Sequence, residues 1–242
     1  MQKLSLEILS HVRLTPDYYR LELGGASIPE VQPGQFVQLE VPGGYLRRPI
    51  SVCDADSGHI VLIYKTVGKG THALAGLPAG ASVSAVMPLG KGFSAGRPVS
   101  SALLLGGGLG AAPLHLLCRK LRDRGISVHV VLGFNTAADI VLIDEYKALG
   151  VDPVVVTLDG TAGIRGFVTD APLPECDYFF TCGPLLMMRA VCSKLQIPGE
   201  LSMEERMGCG AGFCYGCTIK TARGPARVCA DGPVFDKEDI LW

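Results

Sequence analysis

The sequence carries almost no excess charge of either sign: 22 Lys and Arg stand against 23 Asp and Glu, a formal balance of -1 over 242 residues. That excludes the concentrated basic face on which nucleic-acid binding depends. Long apolar runs are missing too. The longest, Ala102 to Leu117, is broken by Gly106, Gly107, Gly108, Gly110, Pro113 and His115, so it is too short and too interrupted to span a bilayer. The opening residues Met1–Glu7 lack the apolar stretch of a secretory leader. No internal repeat and no low-complexity segment is present. From these absences we expect a soluble, cytoplasmic protein that binds neither nucleic acid nor membrane. With 48% hydrophobic and 19% charged residues, a chain of this length can bury a substantial core. It suits one large or two medium domains with a small module attached.

What the sequence does have is nine cysteines. In a reducing compartment, clustered cysteines read as metal or redox ligands rather than disulfides. Three of them are spaced C-x4-C-x2-C in Met207-Gly208-Cys209-Gly210-Ala211-Gly212-Phe213-Cys214-Tyr215-Gly216-Cys217, and Cys229 follows. This is the plant-type spacing for a [2Fe–2S] cluster, with the fourth thiolate arriving later. The fourth cysteine comes sooner than in plant-type ferredoxins, so the module is smaller than a complete ferredoxin domain. The interspersed glycines permit the backbone angles of a loop that points its sulfurs inward. Four thiolates also suit Zn²⁺, but structural zinc sites come as two short Cys pairs. Here only Cys214 and Cys217 form a short pair, and eleven residues separate Cys217 from Cys229. The remaining five, Cys53, Cys118, Cys176, Cys182 and Cys192, sit in apolar surroundings where a buried free thiol is the ordinary state.

The organisation has three parts. Residues 1–96 alternate apolar and polar positions in six short stretches, Leu4–Leu14, Tyr18–Leu23, Gln35–Val41, Pro49–Cys53, His59–Thr66 and Ala81–Met87. Gly and Pro punctuate them, which predicts a small antiparallel β-barrel. A helical turn near Thr71–Ala75 interrupts it. Residues 97–200 alternate apolar strands with amphipathic helices: Ala102–Leu105, a helix over Ala111–Arg122, Val128–Leu132, a helix near Leu142–Leu149, Pro153–Leu158, Asp177–Thr181 and a helix over Leu185–Leu195. That pattern predicts a doubly wound parallel α/β sheet. Residues 201–242 form the cluster module.

Three further motifs carry chemistry. Gly106-Gly107-Gly108-Leu109-Gly110-Ala111 joins a strand to a helix as G-x-G-x-x-A, where a dinucleotide can approach the backbone and the helix start favours phosphate. The same turn also arises from packing alone. No acidic residue and no arginine follows the next strand at Gly133-Phe134-Asn135-Thr136; the missing arginine favours NADH over NADPH. Arg47-Arg48-Pro49-Ile50-Ser51, with Ile63-Tyr64-Lys65 and Gly70-Thr71 downstream, can hold a diphosphate through a bidentate arginine. Equally, it can be a strand with two surface arginines. Thr181-Cys182-Gly183-Pro184 closes a strand at the carboxyl edge of the sheet, where ligands of open α/β sheets bind, so Cys182 is expected to face a nicotinamide. Met187 and Met188 read as core packing.

Taken together, these elements are similar to the ferredoxin–NADP reductase superfamily. Within it, Ser202-Met203-Glu204-Glu205-Arg206-Met207-Gly208-Cys209-Gly210 and Val228-Cys229-Ala230-Asp231-Gly232-Pro233-Val234-Phe235 resemble the electron-transfer subunits of dihydroorotate dehydrogenase B. The resemblance implies FAD contacts from Arg48, Pro49, Ile50, Ser51, Ile63, Tyr64, Lys65, Gly70 and Thr71. It implies cluster ligation by Cys209, Cys214, Cys217 and Cys229, and transient NAD docking at Gly106, Gly107, Gly108, Gly110, Cys182, Gly183 and Pro184. It also implies a partner, an FMN-containing dihydroorotate dehydrogenase catalytic subunit in a heterotetramer of two of each chain, working in pyrimidine biosynthesis. Length agrees: a separate dihydroorotate-oxidising (β/α)₈ barrel needs about 250 residues, and every segment here already has an assignment. Hydride transfer needs no general acid or base, so no catalytic residue is expected. Two other readings stay open: a related reductase subunit serving a hydrogenase or ferredoxin-type acceptor, and a non-enzymatic zinc-binding nucleotide sensor.

Overall fold

The computed structural model describes residues 1–25 and 27–242. Among them the first six strands, β1 (Gln2–Arg13), β2 (Tyr18–Gly25), β3 (Phe36–Leu39), β4 (Arg48–Ala55), β5 (His59–Lys65) and β6 (Ser82–Leu89), close into an antiparallel barrel of order β1-β2-β5-β4-β3-β6. Alternation does the sorting. Leu6 and Ile8 on β1, Leu21 and Leu23 on β2, Val37 and Leu39 on β3, and Ile60 and Leu62 on β5 all point into one buried core. The helix α1 (Lys69–Ala75) plugs it with Leu74. Burying each of these side chains contributes about 1.5–3 kcal/mol.

The second layer system is a sheet of β7 (Ser101–Gly107), β8 (Ser127–Phe134), β9 (Val154–Thr157), β10 (Ile164–Arg165), β11 (Tyr178–Cys182), β12 (Gly199–Ser202) and β15 (Val234–Asp236), in the order β10-β9-β8-β7-β11-β12-β15. Its two faces are covered by different partners. Ala102 and Leu104 of β7 pack with α2 (Ala111–Asp123) and α3 (Ile143–Ala148), whereas Leu103 and Leu105 pack with α4 (Leu185–Lys194) and the C-terminal segment. Strands buried on both sides read as continuous apolar runs, and β7 does. The strands β7 to β12 pair in parallel throughout, as the sequence predicts, and one strand is added from outside them. β15, from the cluster-bearing segment, pairs antiparallel with β12. The module is therefore stitched into the sheet edge, and its hairpin of β13 (Thr218–Thr221) and β14 (Gly224–Arg227) stands beside it.

Charged contacts lock the parts together. Arg97, in the segment leaving the barrel, donates to Glu200 on β12 (3.3 Å) and Asp236 on β15 (3.0 Å) and lies over the Tyr178 ring at 4.5 Å. Glu200 is almost fully buried, and its second oxygen accepts from Ser94 N at 2.8 Å. Arg119 of α2 reaches across to Asp54 and the Ala55 carbonyl of β4. A buried charge left unpaired is costly, so these bonds fix the barrel against the sheet. Among the described residues no helix is long and apolar enough to cross a membrane.

Candidate functional site

The barrel wall has a built-in gap. β4 and β5 are neighbours, but their ladder runs only from Val52–Leu62 to Ala55–Ile60. Beyond it Arg48–Ser51 pair only with β3, and Ile63–Lys65 only with β2. Among the described residues, then, the facing backbone edges of these two segments have no strand between them. Unpaired strand edges supply hydrogen-bonding groups in fixed directions, and a planar ring with polar edges fits such a cleft.

Arg48 stands at one end of this cleft. Its guanidinium lies over Gly70, where a Cβ would meet Nε and Nη2 at 2.7 Å, and Nη1 donates to the Leu46 carbonyl at 2.6 Å. Thr71 Oγ1 accepts from the N–H groups of Val67 (2.9 Å) and Gly68 (3.2 Å), shaping the turn before α1. The Tyr64 side chain is turned away from the cleft: its hydroxyl bonds His11 Nε2 at 2.8 Å and its ring stacks on Tyr19. Only its backbone is free to serve a ligand. Ile63 is buried against the sheet side, and Lys65 Nζ lies 5.2 Å from the Tyr18 ring centroid.

A cavity of about 760 Å³ lies at the carboxyl edge of the sheet. Gly107, Gly108, Gly110, Gly183 and Pro184 line it, as the motifs predict. The glycine loop and the C-G-P turn touch: a Cβ on Gly110 would collide with the Cys182 carbonyl and stand 2.8 Å from Gly183 N. Gly106 lies behind the wall, packed on Ala111 and Leu132. Cys182 does not face the cavity either. Its side chain is buried, and burial pushes the thiol up to about 12. The reason is strand register, since its side chain falls on the α2 face of the sheet.

Several wall residues escape sequence reasoning. Met187, expected in the core, lines the cavity and abuts Gly107, while Met188 is buried as expected. An acidic side chain does stand beyond β8. A short turn after Thr136 brings Asp139 onto the wall, its carboxylate accepting from Thr136 N at 3.2 Å. Tyr18, Phe167 and Glu204 complete this surface. Solvent reaches much of Glu204, yet the surrounding protein desolvates its carboxyl and raises its pKa.

The cysteine loop lies on the opposite flank of the cleft. Gly210, Gly212 and Tyr215 adopt left-handed backbone angles, which turn successive N–H groups inward. Cys209 Sγ accepts from Ala211 N (3.4 Å), Phe213 N (3.2 Å) and Cys214 N (3.4 Å), and Cys229 Sγ from Gly212 N (3.2 Å). Desolvation works against ionising Cys209, but these donors outweigh it and bring the thiol down to about 6. Burial, followed by the neighbouring Cys217 thiol, pushes Cys229 up to about 12, a preference that a bound metal ion reverses. Cys217 Sγ in turn accepts from Cys229 N at 3.4 Å. Sulfurs held under inward N–H groups, at the C-x4-C-x2-C spacing, fit a two-iron cluster better than the two short Cys pairs of a structural Zn²⁺ site.

Arg227 clasps this loop. It donates to the Gly212 carbonyl (2.8 Å), grips Asp231 with Nε (2.9 Å) and Nη2 (3.1 Å), and lies over the Tyr215 ring at 5.1 Å. The Arg227 bonds hold the Asp231 carboxyl down at about 2. Arg227→Ala should accelerate cluster loss by about 10–100-fold, the usual effect of removing a group that supports metal ligands; bleaching of the visible iron–sulfur bands in air measures it. The clasp's charge-linked contribution is fully present above the normal carboxylate range and fades as pH falls toward 2.

Fold and site thus have the three parts that a flavin and iron–sulfur reductase needs: a barrel open along one seam, an α/β sheet with a glycine-lined cavity at its carboxyl edge, and a four-cysteine loop. The comparisons agree. Residues 204–241 match the iron-sulfur cluster binding domain of dihydroorotate dehydrogenase B. The electron transfer subunit of dihydroorotate dehydrogenase B (NAD(+)) from Lysinibacillus sphaericus is 40% identical, with 97% of each chain covered, and that of Bacillus velezensis 39% identical, with 99% of each covered. A solved structure of an NADH-dependent reduced ferredoxin-NADP oxidoreductase superposes with a TM-score of 0.87 at 30% identity, covering 98% of this chain and 90% of the other. Phthalate dioxygenase reductase shares the fold, with a TM-score of 0.70 at 18% identity, over 91% and 87% of the two chains.

The chain belongs to the family of electron-transfer subunits of dihydroorotate dehydrogenase B. It is an electron-carrying component of an oxidoreductase complex that uses FAD, a [2Fe–2S] cluster and NAD, and its counterpart is a catalytic dihydroorotate dehydrogenase chain.

Proposed function

We propose that residues 97–200 dock NAD, residues 1–96 hold FAD and residues 201–242 carry the cluster, with the flavin standing between nucleotide and cluster on the electrons' path. One observation carries this reading. Across the barrel, Tyr18 on β2 pairs with Lys65 on β5, then comes the cleft, then Pro49 on β4 pairs with Gln38 on β3. Tyr18 lines the nucleotide cavity, and Gln38 packs against Gly210 of the cysteine loop. The flavin cleft lies between the two.

Arg48 binds the FAD diphosphate, the backbone of Pro49, Ile50, Ser51, Ile63, Tyr64 and Lys65 edges the ring, and Gly70 and Thr71 keep the arginine's approach open. Gly107, Gly108, Gly110, Gly183 and Pro184 take the nucleotide, while Gly106 and Cys182 support them from behind. Asp139 disfavours a 2′-phosphate by charge, in line with NAD. Cys209, Cys214, Cys217 and Cys229 ligate the irons. Bound flavin supplies the exchange between electron pairs and single electrons. The chain's own groups orient, insulate and tune; none acts as acid or base. Arg48→Ala removes hydrogen bonds to a charged group, each worth about 1.5–3 kcal/mol. FAD binding should therefore weaken by about ten- to a hundredfold, as measured by flavin release on dilution.

The catalytic counterpart holds FMN and the dihydroorotate site, two of each chain assemble, and the complex serves pyrimidine biosynthesis in the cytoplasm. Exposed Phe213 and Tyr215 flank the exposed Cys214 and offer the aromatic contact surface expected where that subunit docks. Mixing the purified chains tests this. Dihydroorotate-dependent NAD⁺ reduction should require both, and full activity from either chain alone would contradict the division. The similarity to a ferredoxin–NADP oxidoreductase over 98% of the chain supports a second reading, with a ferredoxin-type or hydrogenase acceptor. Electron delivery to such an acceptor, with none to the dihydroorotate subunit, would favour it.

A further inference from the structure

Gln38 lies on β3, where alternation sends Val37 and Leu39 into the barrel and Phe36 and Gln38 outward. An outward glutamine ordinarily meets water. This one is 1% exposed, and among the described residues neither Nε2 nor Oε1 has a hydrogen-bond partner. Buried amides are rarely left without partners. The β3 face it shares belongs to the apolar cluster that includes Phe36, Met207, Ala211, Cys217 and Cys229. A bridging water needs two to four polar neighbours, and these residues offer few.

The direction of the carboxamide is set by Gly210. A Cβ built there would collide with Gln38 Nε2 and come within 2.7 Å of its Cδ and Cγ. The residue after Cys209 therefore has no side chain where the amide lies. Thiolate and sulfide sulfurs accept hydrogen bonds and cannot donate, so the NH₂ end is the one that suits them. We propose that Gln38 is a positioning residue for the cluster: its carboxamide donates a hydrogen bond to a cluster sulfur at the Cys209 end and raises the reduction potential. The proposal rests on the chain carrying the [2Fe–2S] centre. Hydrogen bonds to the sulfurs are a main determinant of such potentials. They favour the more negatively charged, reduced state. Because Gln38 also pairs with Pro49 in the flavin cleft wall, the barrel strand itself would set the cluster's affinity for the electron it receives.

Gln38→Met keeps the length and removes the donor in surroundings that already suit an apolar side chain. In the FAD- and iron-replete chain, EPR-monitored titration should show the equilibrium constant for cluster reduction falling by about three- to tenfold, tenfold being 59 mV for one electron. The flavin potential should stay put. An unchanged cluster potential, or a shift confined to the flavin, would overturn the assignment. Should Gln38→Met fail to retain its cluster, the native chain labelled with ¹⁵N only at glutamine carboxamides decides: a ¹⁵N hyperfine coupling to the reduced cluster supports the bond, and its absence refutes it. Iron analysis before each titration separates these outcomes from failure of the cluster reading, which would show no iron in the native chain.

Discussion

Cys214→Ala should strip the chain of iron and labile sulfide while leaving its FAD in place. Cys214 is exposed at the tip of its loop, so the substitution removes almost no packing, yet it takes away one of the four proposed ligands. The proposed flavin site is built apart from that tip: Arg48, Gly70 and Thr71 are held by contacts within the barrel segment. Reduction of a soluble dye by NADH should continue. Electron delivery to the catalytic counterpart should fall by more than about a hundredfold, beyond the 10–100-fold typical of losing a group that merely supports the ligands. Metal and flavin contents, measured beside both activities, check it. Loss of FAD together with iron would mean that the two sites are not independently built.

Gly110→Ala should have the complementary effect. A Cβ at this position would run into the Cys182 carbonyl, and both groups belong to backbone that cannot swing aside. The glycine loop and the C-G-P turn must separate, which costs about 1–3 kcal/mol in a close-packed setting. That corresponds to a KM for NADH about ten- to a hundredfold higher, with iron and flavin contents unchanged and dithionite still able to reduce both centres. Gly96→Ala is the matched control. A Cβ there meets nothing within 4 Å, so KM should not move.

How far the sequence revealed all this depended on whether the determining contacts were local. The six barrel strands were legible because alternation alone decides which side chains turn inward: Leu6, Ile8, Leu21 and Leu23 follow it without exception. β7 was legible as an apolar run ending in glycines. β12 was not, since Gly199-Glu200-Leu201-Ser202 buries an acid and a serine, and only Arg97, Ser94 and β15, all distant in sequence, make that tolerable. The cysteines proposed as cluster ligands stand out in the sequence because three of the four lie within one loop. The cavity wall was not, because Tyr18, Asp139, Phe167, Met187 and Glu204 arrive from separate elements. Gln38 reads as a solvent-facing residue on an edge of alternation, and only the module folded over it removes the solvent.

The central claim is that NADH, flavin and two irons are placed in sequence through one barrel wall. Anaerobic titration of the isolated chain with NADH, followed by visible absorbance and EPR together, tests it most directly. The account predicts two irons, two sulfides and one FAD per chain, with flavin bleaching accompanied by the EPR signal of a reduced [2Fe–2S] cluster. A chain that bleaches its flavin with no such signal, or that contains zinc in place of iron, would contradict it.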